Sequence, residues 1–314
     1  MGSTFGILFP VFALISIGFA LRRGGVFGPA ASSELNRFVV WLALPALLFD
    51  IMANASAEQL DQPGFIAAFS IACAATFLLV LLARLFAGAG LADASVDAIA
   101  GAYPNTGYIG FPLCLIAFGA ASLAPTMIAT IIVACVLFAV AIVLVEVAAQ
   151  RGGGAGAVLA KVCAALARNP LIVAPVAGAL VALAGAGVPE AVERLLRLLG
   201  AAASPCALVG LGLFLAEPRS AGDTGSRAAM ALVGAKLLLQ PAIAWWMAAR
   251  VFGLPEALVG ITVVLAALPT GTGPFMLAEF YRRKARVASR TILFSTVGSL
   301  VTLSLLLSHF RAKH

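Results

Sequence analysis

Charge is scarce in this sequence. Only 11% of its 314 residues are Asp, Glu, Lys or Arg, against about 25% in an ordinary soluble domain. So few charges cannot cover a water-facing surface of this size, which excludes a two-domain soluble enzyme. Histidine is nearly absent, with two copies, and the five cysteines (Cys73, Cys114, Cys135, Cys163, Cys206) stand far apart without a CxxC or Cys/His cluster. That excludes a disulfide scaffold, a metal site and thiol redox chemistry, and leaves these cysteines as small apolar fillers. Paired aspartates, Ser with His, and HExxH are all missing at membrane depth, so an intramembrane enzyme is not expected. The 62% apolar content excludes disorder as well. What remains is an all-α polytopic membrane protein.

About 20 mostly apolar residues are needed to cross the hydrocarbon core. Ten such stretches can be read, at roughly 4–21, 36–54, 64–86, 95–118, 122–148, 168–186, 198–216, 228–250, 256–280 and 288–310. The first differs from a signal peptide in that Arg22 and Arg23 follow the apolar run rather than precede it, so it is expected to stay in the mature protein. The net charge of +7 needs no nucleic acid to explain it. The loops after the odd-numbered spans hold fourteen Lys and Arg, among them Arg37, Arg84, Arg151, Lys161, Arg219 and Lys284; the opposite set holds five, Arg194, Arg197, Arg250, Arg311 and Lys313. Positive loops stay in the cytoplasm, so both termini are expected outside.

Two spans are interrupted. The fourth contains Pro104, Gly107, Gly110 and Pro112; the ninth contains Pro269, Gly271, Gly273 and Pro274. Proline removes a ladder donor and glycine loosens the backbone, so both read as broken helices. Freed backbone groups at that depth are tolerated only against protein or a wet cavity. The chain also repeats itself: Phe9-Pro10 has a mate in Asn169-Pro170, Pro45 in Pro205, and Pro104 in Pro269. Five spans per half is an odd number, so the second copy enters from the opposite side. The expectation is an inverted repeat of residues 1–150 and 168–314, joined by a short cytoplasmic linker over 151–167. Broken helices at matching places in inverted halves point to a transporter site near the midplane. A channel would want polar rings along a continuous pore, and a receptor or lipid-binding protein gives no reason for paired breaks.

The sequence resembles the auxin efflux carrier family. The likeness runs through Leu35-Asn36-Arg37-Phe38-Val39 with Leu44-Pro45-Ala46-Leu47-Leu48-Phe49, and Pro104-Asn105-Thr106 with Gly110-Phe111-Pro112-Leu113. It continues through Arg168-Asn169-Pro170-Leu171, Ser204-Pro205 with Leu211-Gly212, Lys236-Leu237 with Gln240-Pro241, and Pro269 to Tyr281. The resemblance implies ten transmembrane helices as two inverted five-helix repeats, helices 4 and 9 broken and crossing, with scaffold and transport domains each drawn from both repeats. It also implies a homodimer and an organic anion as substrate: indole-3-acetate in plants, dicarboxylates such as malonate or malate in bacteria. The long cytoplasmic insertion common in the plant carriers is missing here, which tells against auxin but not against transport. Related bile-acid-type symporters use carboxylates and amides near the crossover for sodium. Neither crossover here contains Asp or Glu, so a proton or no coupling ion is preferred to sodium, and no other cofactor is expected.

Breaking the helices creates half-helix N-termini, each with roughly half a positive charge and several unpaired N–H groups, which suit carboxylates. Two such ends favour a dicarboxylate. Asn105 offers two amide donors to the substrate or caps the break, and Thr270 and Thr272 either meet the substrate or bond back to main chain. Tyr108 supplies a further donor or an amphipathic wall. Thr106, Pro104, Gly107, Gly110, Pro269 and Gly271 are placed in the substrate site at the two breaks, the glycines and prolines shaping it more than touching the substrate, and Ser204 is added to it from the seventh span. Lys236 lies well inside the eighth span, as counter-charge or snorkelling toward the cytoplasm. Asp50 carries a coupling proton or marks the water interface. Glu146 is read as solvated or paired with a basic neighbour. The short loops and the abundance of Ala and Gly suggest a bacterial cytoplasmic membrane.

Overall fold

The computed structural model describes residues 4–56, 58, 61–149, 156, 164, 167, 168, 170–217, 226–283 and 285–311. Most of the expected linker, with Arg151, Lys161 and Cys163, lies outside them, as do Asn169, Arg219, Lys284, Lys313 and His314. Every regular element among the described residues is helical: α1 Thr4–Arg23, α2 Ala31–Ala53, α3 Pro63–Phe86, α4 Leu91–Ala102, α5 Thr106–Phe118 and α6 Ala120–Ala148. Then follow α7 Pro170–Ala184, α8 Glu190–Leu215, α9 Ser226–Val251, α10 Glu256–Ala267, α11 Gly273–Phe280 and α12 Ala285–Arg311. Six of these, α2, α3, α6, α8, α9 and α12, are long and apolar enough to cross a bilayer, and Thr106–Phe118, Val173–Ala184 and Glu256–Ala267 are shorter apolar helices. Large apolar side chains such as Leu180, Leu183, Leu198 and Leu305 stand exposed on these helices. A surface of that kind is stable against lipid and not against water. The protein is polytopic.

Prolines shape the helices by a common device. Wide π turns occupy Val39–Ala43, Thr106–Gly110 and Ala235–Leu239, and each ends two residues before a proline: Pro45, Pro112 and Pro241. A proline ring crowds the carbonyl four residues back and donates no hydrogen bond. Widening the turn to i→i+5 spacing relieves that crowding without breaking the helix.

The chain forms two compact units, each drawing segments from both sides of the 151–167 linker. One comprises Met1–Asp61, Gly107–Met127 and Arg168–Gly222 and holds α1, α2, most of α5, α7 and α8. Its helices approach backbone to backbone. A Cβ on Gly212 would lie 2.0 Å from the Ile15 carbonyl oxygen, and one on Gly18 would lie 2.2 Å from that of Val209, so α1 and α8 notch each other reciprocally. Gly178 of α7 sits likewise on the Phe49 carbonyl of α2, and Gly200 of α8 on the Leu47 backbone. Without a hydrophobic force between helices in lipid, such small-residue contacts are what association rests on.

The other unit comprises Gln62–Thr106, Ile128–Ala167 and Asp223–His314. Its core is apolar with polar side chains set into it: Thr76, Ser95, Lys236, Gln240, Thr262, Thr270, Ser295 and Ser299 are all fully buried. Many of the hydroxyls bond to a carbonyl one turn earlier in the same helix, as Thr76 does to Ala72 and Thr262 to Leu258. Near one end of α4 the carboxylate of Asp97 is held by Arg84 Nε at 2.7 Å, and Asp93 by Arg283 at 2.8 Å.

Candidate functional site

In the second unit α4 stops at Ala102 and α10 stops at Ala267, and the residues that follow each stop lie side by side. Pro104 and Thr270 form an antiparallel bridge. The Asn105 N–H donates to the Pro269 carbonyl at 2.9 Å, and the Gly271 N–H to the Tyr103 carbonyl at 3.0 Å. Backbone freed by two prolines is thus satisfied strand to strand, which is what a break inside a membrane requires. The glycines permit it. A Cβ on Gly271 would meet the Tyr103 ring at 3.0 Å, and one on Gly273 would come within 2.8 Å of it. The ring lies across the second break, a role the sequence did not suggest for Tyr103.

The C-terminal carbonyls of both half-helices are taken up by side chains. Thr270 Oγ1 donates to the Ala100 carbonyl at 2.9 Å, and Gln240 Nε2 to that of Ala102 at 3.1 Å. Lys236 Nζ donates to the Ala266 carbonyl at 2.6 Å. Lys236 is fully buried and does not snorkel. Its ammonium faces the negative end of α10, the favourable partner for a cation at a helix C-terminus. One turn further along α9, Gln240 does the same for α4. A glutamine four residues after a mid-span lysine shares its face, so the sequence held the signal for Gln240 even though its role went unread.

The other expected residues divide between the units. Asn105 and Thr106 are buried in the second unit, 4% and 2% exposed, and the Thr106 N–H donates to the Pro104 carbonyl. Thr270 is fully buried with its hydroxyl proton committed to Ala100 and its N–H to Ser295 Oγ at 3.0 Å, so it bonds across the crossover rather than back to its own helix. Thr272, half-buried, ends the second break; its carbonyl accepts from Met276 N–H in the first turn of α11. Gly107, Tyr108 and Gly110 fall in the first unit, on the wide turn that opens α5. The Tyr108 hydroxyl is directed at Asn36 Oδ1, which fixes the ring within that unit. Glu146 is half-buried, and its carboxylate accepts from the Tyr281 hydroxyl at 2.9 Å.

Ser204 and Asp50 both lie in the first unit, on the wall of a cavity of about 430 Å³. Leu47, Phe111, Pro112 and Leu115 give it apolar walls, and Arg197, which the sequence offers only as an outer basic residue, is the one cation in its lining. Asp50 is half-buried, accepts from Asn54 Nδ2 at 3.0 Å, and faces the charges of Arg197 and Glu193. No group of three or more metal-ligating side chains occurs among the described residues.

Comparison with known proteins agrees with this architecture. Residues 4–307 match the family model described as membrane transport protein. A protein of Rhizobium meliloti (strain 1021) named “Putative malonate transporter” is 31% identical over 99% of this chain and 97% of its own. An Escherichia coli (strain K12) protein named “Uncharacterized transporter YfdV” is 23% identical over 95% of this chain and 94% of its own. “Auxin efflux carrier component 8” of Arabidopsis thaliana is 28% identical over 53% of this chain and 45% of its own. Paired breaks laced together in a polytopic helical protein, and a family match along almost its whole length, lead to one conclusion: the chain belongs to the auxin efflux carrier family of membrane transport proteins.

Proposed function

We propose that the protein is a secondary transporter of small organic carboxylates, with malonate- or malate-type dicarboxylates as the substrates, working by alternating access. The observation that carries this reading is the laced crossover of Pro104 with Thr270. It gathers a buried amide and a helix start at one place: the Asn105 side chain, the Thr272 hydroxyl and the first N–H groups of α11. The N–H groups at a helix start and a carboxamide are donors suited to a carboxylate. The malonate assignment in the name of the Rhizobium relative fits the same chemistry.

The proposed frame is ten transmembrane helices in two inverted five-helix repeats, in a bacterial cytoplasmic membrane with periplasmic termini, working as a homodimer. One group of helices moves against the other around the bound anion. Lys236 Nζ already serves the negative end of α10, where a coupling cation would otherwise be drawn, which favours a proton or no coupling ion over sodium. An amphipathic monocarboxylate such as indole-3-acetate is the second reading, and the apolar walls of the 430 Å³ cavity favour it.

Counterflow of labelled malonate in liposomes tests this without knowledge of the coupling ion. The expected result is exchange that malate competes for and that Asn105→Ala reduces at least about tenfold, the effect of losing one charge-assisted contact. Competition by indole-3-acetate alone selects the second reading. No exchange of any carboxylate overturns the substrate class, and full activity in Asn105→Ala makes that residue structural.

A further inference from the structure

The cavity of the first unit has a polarity that packing alone does not require. Its walls are leucine, isoleucine, phenylalanine and proline, and its polar lining is confined to Asp50, Arg197 and Ser204. Leu47 lies against Gly200, so Asp50 and Arg197 stand together one turn to one side of that contact, and Ser204 one turn to the other. The seven steps from Arg197 to Ser204 rise about 10 Å along the helix at 1.5 Å per residue. The cavity therefore has a charged end and a hydroxyl end with an apolar middle.

The charge at the first end is unusual. The Arg197 guanidinium bonds the Glu193 carboxylate and also faces Asp50, so two carboxylates share one cation. Asn54 donates to Asp50 from its own helix. The other helix packed along α2, α7, carries no ionisable side chain, so no second cation arrives from there. A carboxylate entering this end finds a guanidinium with donors to spare, since five N–H groups are fixed in a fork. It also finds one negative charge too many. Asp50 can remove that excess by accepting a proton from water.

We infer that this cavity is a proton-linked carboxylate site, in which Arg197 receives the anion and Asp50 takes up one proton with it. The inference rests on the carboxylate reading above and adds to it a second place of binding and the identity of the coupled ion. The balance is simple: one carboxylate and one proton enter this end together, so its charge is unchanged, any second carboxylate of the anion lies beyond it, and no bond other than O–H at Asp50 forms. Linkage makes the effect reciprocal, so the proton strengthens anion binding as much as the anion strengthens proton binding.

The test uses the full chain in lipid nanodiscs, with malonate and indole-3-acetate as probes, over a pH range in which both stay ionised. The wild type is expected to bind one probe more tightly as pH falls, by up to about tenfold per pH unit at full linkage of one proton, and to take up about one proton per anion. Asp50→Asn is expected to bind at the low-pH affinity throughout, without proton uptake. Arg197→Gln is expected to lose binding at least about tenfold at every pH, the effect of one charged hydrogen bond. Arg197→Lys keeps a cation for Glu193 and Asp50 should Arg197→Gln not fold, and is expected to weaken binding severalfold because the fork is gone. Proton uptake that persists in Asp50→Asn overturns the role of Asp50, and wild-type affinity in Arg197→Gln or Arg197→Lys overturns that of Arg197. Binding that ignores pH in the wild type sinks the proposal but leaves carboxylate transport standing. No binding of either probe, together with no exchange in liposomes, sinks carboxylate transport itself.

Discussion

The two units of this protein are held together by different means. In the first, glycines let helices touch through their backbones: Gly212 on Ile15, Gly18 on Val209, Gly178 on Phe49. In the second, the glycines mostly meet side chains, as Gly298 meets Leu237 and Gly273 meets Tyr103. The buried polar residues show the reverse bias. Apart from Ser32, Ser122 and Thr126, those among the described residues all lie in the second unit. Backbone contact leaves no room for a side chain to change its arrangement. Hydrogen bonds between side chains and carbonyls can be exchanged for others. One unit is built as a frame, the other as a place where polar groups are held ready.

The sharpest way to break this contrast is at the frame. Gly212→Leu forces a side chain into the Ile15 carbonyl, and it is expected to destabilise the protein by more than about 3 kcal/mol, at the upper end for overpacking. Loss of folded protein in a detergent melt is the expected readout. Gly298→Ala, whose added methyl would lie 3.1 Å from the end of a leucine, should still fold. Equal damage from both would erase the distinction between the units.

Next in size is Lys236→Met, which leaves the Ala266 carbonyl without its donor and removes the charge facing the end of α10. A buried acceptor stripped of its partner costs about 1–3 kcal/mol, so a folded but transport-dead protein is expected in the counterflow assay. Wild-type exchange would show the ammonium to be dispensable. Thr270 separates a structural hydroxyl from a substrate contact. Thr270→Ser keeps the bond to Ala100 and should keep stability and transport, whereas Thr270→Val should lose about 1–2 kcal/mol of stability in the melt. A Val variant of unchanged stability would return Thr270 to the substrate. The smallest expected effect is a coupling. Gly273→Ala crowds Tyr103, and adding Tyr103→Ala should recover about 0.5–2 kcal/mol of the loss, because the two sites touch. Strict additivity would mean that the ring does not rest on the break.

Much of this was legible in the sequence because it rests on residue types with few uses. Two prolines around two glycines inside an apolar span permit little besides a break, and Pro104 and Pro269 mark the places where the helices stop. The pairing of those breaks needed the structure, since nothing in local sequence says that the Asn105 N–H meets the Pro269 carbonyl. Lys236 announced itself by being charged inside a span, but its partner is a backbone oxygen, and carbonyls leave no trace in a sequence. Thr270 was legible as a hydroxyl at the break and not as a donor to α4. Arg197 was hidden for the opposite reason. It read as one of five outer basic residues, and only the folding of α2 against α8 brings it to Asp50.

Pro241 has no polar atom of its own to offer the crossover, yet it governs where two polar side chains point. In a regular α-helix, residues four apart are out of line by about 40°, since 3.6 residues complete a turn. Lys236 lies within the wide turn that precedes Pro241 and Gln240 directly follows it, and widening brings residues four apart closer to alignment. Both can then reach forward in one direction, Lys236 to Ala266 and Gln240 to Ala102. The proline acts as a phase setting for the helix, and winding the turn back to regular pitch would swing one prong away while leaving every donor and acceptor in the chain.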